Sequence, residues 1–290
     1  MKTQTACQNQ KKASLLLSLL FIILPFLGSA SDYYWVGGSG KWSDYSKHWS
    51  TTSGGQVFHV QIPTPFDNVI FDANSFSSAA VVTMDTTHIT FHDMTWTGVQ
   101  KKPQFTNTGK QSSVMDCYGS LILDPLMYWA YAGNINFNSD SAEVINTGNI
   151  KLASGNIYNS TGALNFLGDG EWSLSGSLSA SIINLSSGTL RTNNNKINCE
   201  RFIANSMASL FLGNSAVNCS DEMQVWSTLD TGMHHITIGQ KGSSFGSFYG
   251  HAPVFYSLTF LSEGGQLFGN GASFNSVVFK DGAQINGNNK

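Results

Sequence analysis

From about residue 80 the chain is a succession of short apolar-alternating runs, each closed by Gly, Asn, Asp or Ser. Val81-Val82-Thr83-Met84, His88-Ile89-Thr90-Phe91, Met94-Thr95-Trp96, Ser120-Leu121-Ile122-Leu123, Asn134-Ile135-Asn136-Phe137, Ala163-Leu164-Asn165-Phe166, Ser209-Leu210-Phe211-Leu212 and His235-Ile236-Thr237-Ile238 are examples. Runs this short sit below the usual length of a sandwich strand. They also recur. Ile197-Asn198-Cys199 returns twenty residues later as Val217-Asn218-Cys219, and Phe255-Tyr256-Ser257-Leu258-Thr259-Phe260 returns nineteen later as Phe274-Asn275-Ser276-Val277-Val278-Phe279. Leu267-Phe268-Gly269-Asn270 returns eighteen later as Ile285-Asn286-Gly287-Asn288. A spacing of about 18–20 residues is one turn of a parallel β-helix, where each coil buries its inward side chains only by stacking on its neighbours. The reading is an all-β solenoid of some ten coils, on the order of 50 Å long at about 4.8 Å per coil.

Composition agrees. Of 290 residues only 11% are charged while 29 are Gly, and Asn, Ser and Thr are abundant, all poor helix formers. Plentiful aromatic and β-branched residues with a small net charge exclude disorder. The net charge is −3, and residues 31–290 hold 12 basic against 18 acidic side chains. That balance argues against a nucleic-acid partner, which needs clustered Lys and Arg.

Residues 1–30 read as a cleaved signal peptide: Lys2, Lys11 and Lys12, the apolar run Ala13 to Leu27, then Gly28, Ser29 and Ala30 before the cut. The apolar core is about 15 residues long and contains Pro25, short of the roughly 20 that cross a bilayer. Ser31 stands where a lipoprotein needs Cys, and no second apolar stretch of spanning length follows. The chain is therefore expected to be secreted or held at the cell surface without a transmembrane segment. It divides into the signal (1–30), a Trp-rich cap with the first coils (31–98) and β-helix repeats (99–290).

Trp35, Trp42 and Trp49 recur every seven residues, but Gly37-Gly38-Ser39-Gly40 between them forbids a helical heptad. These indoles read as a cover over the open end of the core, with a sugar-stacking platform as the rival. Pro63 and Asp67 then lead into Val69-Ile70-Phe71, read as a first strand.

The opening Tyr34-Trp35-Val36-Gly37-Gly38-Ser39-Gly40-Lys41-Trp42-Ser43-Asp44, with His48-Trp49-Ser50 and Asp67-Asn68-Val69-Ile70-Phe71-Asp72, resembles the start of large secreted surface proteins of Bacteroidetes-type bacteria. Its core is also similar to the start of autotransporter-like β-helical regions. The resemblance implies an exported right-handed parallel β-helix, in a polypeptide that carries further domains. Asn286-Gly287-Asn288-Asn289-Lys290 stops inside a coil, which reads as a β-helix incomplete at its C-terminus.

Chemistry-bearing clusters are sparse. His88 and His92, near Asp85 and Asp93, form the best metal-like group, but opposite parities of Ile89/Phe91 and Met94/Trp96 place a corner at His92-Asp93 and no third ligand is patterned. Met233-His234-His235 alternates in and out along a strand. Asp169 and Glu171 are the one acidic pair beside an aromatic, Trp172, yet a Gly168-Asp169-Gly170 turn accounts for Asp169. Arg191 and Arg201 have no acidic cluster nearby in sequence beyond Glu200. No nucleophile elbow or phosphate loop is present. Asn159, Asn184 and Asn218 head glycosylation-type triplets of chance-level frequency. Cys7 leaves with the signal, and Cys199 and Cys219 fall one above the other as expected free thiols, with Cys117 elsewhere. The reading assigns no catalytic, cofactor or metal residue. It expects a non-catalytic surface β-helix acting as adhesin, stalk or glycan-contacting module, with extracellular polysaccharide or cell-surface components as partners. The rival is a carbohydrate-active lyase or hydrolase.

Overall fold

Alternation along the short runs directs every second side chain inward, and stacking the runs parallel and in register closes a continuous core. The computed structural model describes residues 30–108, 112–152, 162–247 and 253–280. The signal up to Ser29, the closing Asn286 to Lys290, the Ile285 to Asn288 repeat and the Asn159 triplet lie outside these. From Ser31 onward the chain is one unit, a β-solenoid of about 9 turns with parallel stacked coils.

Three sheets run along the stack. The first joins Asp32–Trp35, Asn68–Phe71, Met94–Trp96, Leu121–Ile122, Ala142–Asn146, Glu171–Leu174, Thr189–Arg191, Ser209–Phe211 and Thr228–Leu229, with Trp49–Ser50 added antiparallel at its start. The second contains Gly40–Lys41, Val81–Met84, Gln104–Asn107 and Tyr128–Ala130. The third begins at His88–Phe91 and ends at Ser273–Phe279. In later coils two faces fuse into this third sheet, because Ile197–Ala204 and Ala216–Val225 run through a corner without a break. Cys199 pairs with Cys219 but Arg201 with Glu222, so one extra residue bulges at that corner and re-aims the strand.

All eight short runs named above are strands or contain one, and both repeats within the described residues stack as read, Ile197 on Val217 and Phe255 on Phe274. Two expectations need correction. Coil length is near the expected value in the later coils and in the step from Val114 to Asn134, but not throughout. Met94 pairs with Leu121 and Ile135 with Leu164, twenty-seven and twenty-nine residues on, because the earlier corners carry longer insertions that leave the stacked strands unchanged. Nor is Val69-Ile70-Phe71 the first strand: Asp32–Trp35 precedes it and pairs with it, Tyr33 beside Val69. The Trp-rich opening is thus itself the first coil.

In-register stacking puts like on like at the coil spacing. Phe71 and Trp96 stack with centroids 3.9 Å apart, Phe137 and Phe166 at 4.8 Å, Phe260 and Phe279 at 5.1 Å. The half-buried outer face carries the polar equivalent. The Asn136 amide donates to Asp116 Oδ1 (2.8 Å), Asn165 to Asn136 (2.9 Å) and Asn184 to Asn165 (2.9 Å). A second run goes from Asn218 to Asn198 (2.9 Å) and on to Ser179 (3.2 Å). At corners, amides satisfy backbone instead: Asn193 and Asn195 both donate to the Leu174 carbonyl, at 3.1 and 3.0 Å.

The three opening indoles are fully buried, so none offers a face to a sugar. Trp35 and Trp49 sit opposite each other across the antiparallel pair. Trp42 packs edge-on to Trp49 at 4.8 Å. The seven-residue recurrence therefore comes from a folded-back chain, with Trp35 Nε1 donating to Gly38 O (2.8 Å) and Trp49 Nε1 to Trp42 O (2.9 Å).

Candidate functional site

The fold disperses the clusters singled out in the sequence. His88 Nε2 lies 2.7 Å from Asp116 Oδ2 on the next coil, while His92 sits against Asp93 at 3.1 Å. Asp85 accepts from the Ser43 backbone N–H (3.1 Å) and hydroxyl (2.6 Å). The corner at His92-Asp93 is present, and Met94 and Trp96 point inward beyond it. Among the described residues no group of three His, Cys, Asp or Glu could hold a metal ion.

Asp169 lies in the corner after Leu167, and Glu171 is held 2.7 Å from Arg191 Nε. Arg191 in turn lies 4.0 Å over the Phe211 ring. His234 is fully buried and His235 exposed, as alternation requires. Desolvation lowers the His234 pKa, with a further push from His235 and an opposing pull from Asp230. Cys199 and Cys219 are paired in register, buried and unlinked, and Cys117 is buried and unlinked as well. Burial raises the Cys117 pKa, whereas for Cys199 the contact with Cys219 raises it first and burial second. The Asn184 and Asn218 amides are both used in the outer ladders.

One concave feature was missed by sequence reasoning. On the third sheet Glu222 pairs with Ser244 and Ser244 with Gln266, while Gln224 pairs with Gly246 and Gly246 with Phe268. Ser244 and Gly246 point outward between two coils that carry large side chains, so the middle coil is a floor and its neighbours are walls. Glu222, Gln224 and Trp226 form one wall; Phe268 and Asn270 belong to the other. The trough runs along the strand direction and encloses about 220 Å³.

Its polar groups are preorganised. Arg201 Nε lies 3.0 Å from Glu222 Oε2, the Gln224 amide donates to Glu222 Oε1, and Asn270 Nδ2 donates to Ser247 O at 2.8 Å. Arg201 also faces Asp221 at 3.8 Å. The acidic partners of Arg201 thus come from the next coil, which is why its sequence neighbourhood looked empty. Trp226 and Phe268 remain 36% and 38% exposed. Two signals in the sequence point to this place: Glu222 and Gln224 alternate on one face of Ala216–Val225 with Trp226 just past its end, and a Gly stands inside Ser244–Ser247.

A second concavity of about 410 Å³ lies at the first coil, lined by Asp32, Tyr34, Thr51, Thr52 and His59. There the His59 ring is already stacked on Tyr33 at 3.5 Å. Among the described residues no helix is long and apolar enough to cross a membrane. No family model, no curated protein and no solved structure matches this chain.

Proposed function

We propose that the protein is an exported, non-catalytic β-solenoid module of the cell surface, of the adhesin or stalk type, that contacts extracellular glycan. The observation that carries the reading is the trough: aromatic rings at Trp226 and Phe268, hydrogen-bonding groups at Gln224 and Asn270, and a floor lowered by Gly246, all on a rigid stack of strands. Pyranose rings present apolar C–H faces and a hydroxyl rim, so sites for them combine aromatic surface with polar side chains that are already positioned.

The same geometry weighs against hydrolysis. Glycosidase chemistry uses two carboxylates about 5 to 9.5 Å apart on either side of the scissile bond. Glu222 is the one carboxylate among the described lining residues, and its two oxygens are engaged by Arg201 and Gln224. Export rests on the Lys2 to Ala30 leader pattern, and the surface role on the resemblance of residues 34–72 described above. Incubation of the purified protein with a polysaccharide panel is expected to give complexes and no new reducing ends or unsaturated products. Appearance of either product replaces this reading with a glycan-degrading enzyme, and recovery of the protein in the cytosolic fraction of its source cells removes the surface role.

A further inference from the structure

Resting on that reading, we infer that the trough between Glu222-Gln224-Trp226 and Phe268-Asn270 selects an uncharged pyranose polymer, held one ring at a time across the solenoid axis, and rejects uronic-acid and sulfated chains.

Three observations lead there. The first is charge. The described lining holds one carboxylate, Glu222, and neither Lys nor Arg. Arg201, which pairs with the lining residue Glu222 at 3.0 Å, also faces Asp221 at 3.8 Å, so its charge is answered within the protein. Glu200 lies beside Arg201 in the chain, with Lys151 against it at 3.7 Å. Recognition of a carboxylate or sulfate needs an uncompensated cation, commonly an Arg fork aimed at it. Here an anionic sugar would meet a site whose cation is already shared by two carboxylates, and would give up its hydration with no cation in the described lining to replace it.

The second observation is size. About 220 Å³ is less than the roughly 300 Å³ at which pockets begin to enclose a whole small ligand. Ser244 and Gly246 stand in line on the floor of the trough along the strand direction. Its walls stand one coil to either side of that floor, about 10 Å apart between their backbones. This suits one ring of a chain that enters and leaves along the strand direction, better than a free monosaccharide that gains its affinity from enclosure.

The third is Gly246 itself. A Cβ built there would meet only Gln224 Cγ, at 3.9 Å, an ordinary contact. Among the described residues no close backbone approach demands glycine at this position, so the low floor is not a packing requirement of the stack. Because the backbone tolerates a side chain, Gly246→Leu can fill the trough without disturbing the coil.

The test is affinity electrophoresis of the purified protein in gels containing, separately, neutral β-glucan, neutral mannan, neutral galactan, polygalacturonate and alginate. At least one neutral polymer is expected to retard the protein while both uronates leave it unretarded at low salt. Gly246→Leu and Trp226→Ala are each expected to weaken retardation at least tenfold. Gly246→Leu should keep the wild-type circular dichroism spectrum and melting temperature, which separates loss of the site from loss of the fold. Retardation by polygalacturonate or alginate as strong as by any neutral polymer overturns the selectivity and leaves the glycan-contact reading standing. Retardation by none of the five overturns both. Unchanged binding by a folded Gly246→Leu protein places the contact elsewhere and overturns the assignment of this trough.

Discussion

Two glycines in this solenoid should respond oppositely to the same change. Gly188 has φ +66°, and a Cβ there would lie 2.5 Å from the Gly170 carbonyl oxygen, 2.6 Å from that of Gly168 and 2.8 Å from Trp172 Cζ3. All three belong to the preceding coil. Placing Ala in left-handed backbone costs about 1–2 kcal/mol. Relief of the clash requires the coils to part where Thr189 N–H donates to Gly170 O and Ser209 N–H donates to Gly188 O, each at 2.8 Å. Weakening both costs about 1 kcal/mol apiece. Restricting the unfolded chain returns about 0.5 kcal/mol, so Gly188→Ala should destabilise by about 3 kcal/mol. At Gly246 the φ is unstrained and the nearest atom is 3.9 Å away, so Gly246→Ala should stabilise by about 0.5 kcal/mol. Urea unfolding followed by tryptophan fluorescence reads both. Because coils contact only their neighbours, native-state hydrogen exchange should show the Gly188→Ala loss concentrated near residues 166–211. A Gly188→Ala protein within 0.5 kcal/mol of wild type, or a Gly246→Ala protein equally damaged, would refute the stacking argument.

Further outcomes follow from buried titratable groups. Burial holds the folded-state pKa of His234 below the ordinary histidine value, so between the two values the unfolded chain binds the extra proton and stability falls as pH drops through and below about 6.5. In His234→Phe, which keeps an aromatic ring against Phe255, this part of the acid dependence should vanish; urea midpoints between pH 7 and pH 5 that shift equally in both proteins would contradict it. Cys117, Cys199 and Cys219 are buried, and the first and second have raised pKa values, so they should resist alkylation in the native protein and all react once it is denatured. A Cys199–Cys219 cross-linked peptide in the mass spectrum would show the pair oxidised instead.

What the sequence disclosed was whatever repeats locally. Strands such as His88–Phe91 and Asn134–Phe137 alternate within four residues, and Cys199 over Cys219 follows from a single twenty-residue step. The earlier coils hid their period because corner insertions vary in length, as between Ile135 and Leu164, while only the strands are constrained to match. The opening misled for a related reason: Asp32–Trp35 pairs with a strand thirty-six residues away, beyond any local pattern. The trough was illegible because its walls come from strands about forty residues apart, and because its defining element is a missing side chain at Gly246. Arg201 shows the same limit, since its partners Asp221 and Glu222 are neighbours only through the stack.

The outer asparagine ladder has a sign as well as a spacing. In every rung the later coil's amide donates to the earlier coil, from Asn184 through Asn165 and Asn136 to the Asp116 carboxylate, which His88 then faces from the other side. Aligned amide dipoles polarise one another, and their positive end here terminates on a negative charge. The solenoid therefore carries a one-way polar seam anchored at Asp116. An asparagine coil inserted within the seam would extend it at little cost, since each new rung accepts what it displaces. Replacing Asp116 by a residue that cannot accept would strip the seam of its terminus, and the effect should reach coils that never touch that residue.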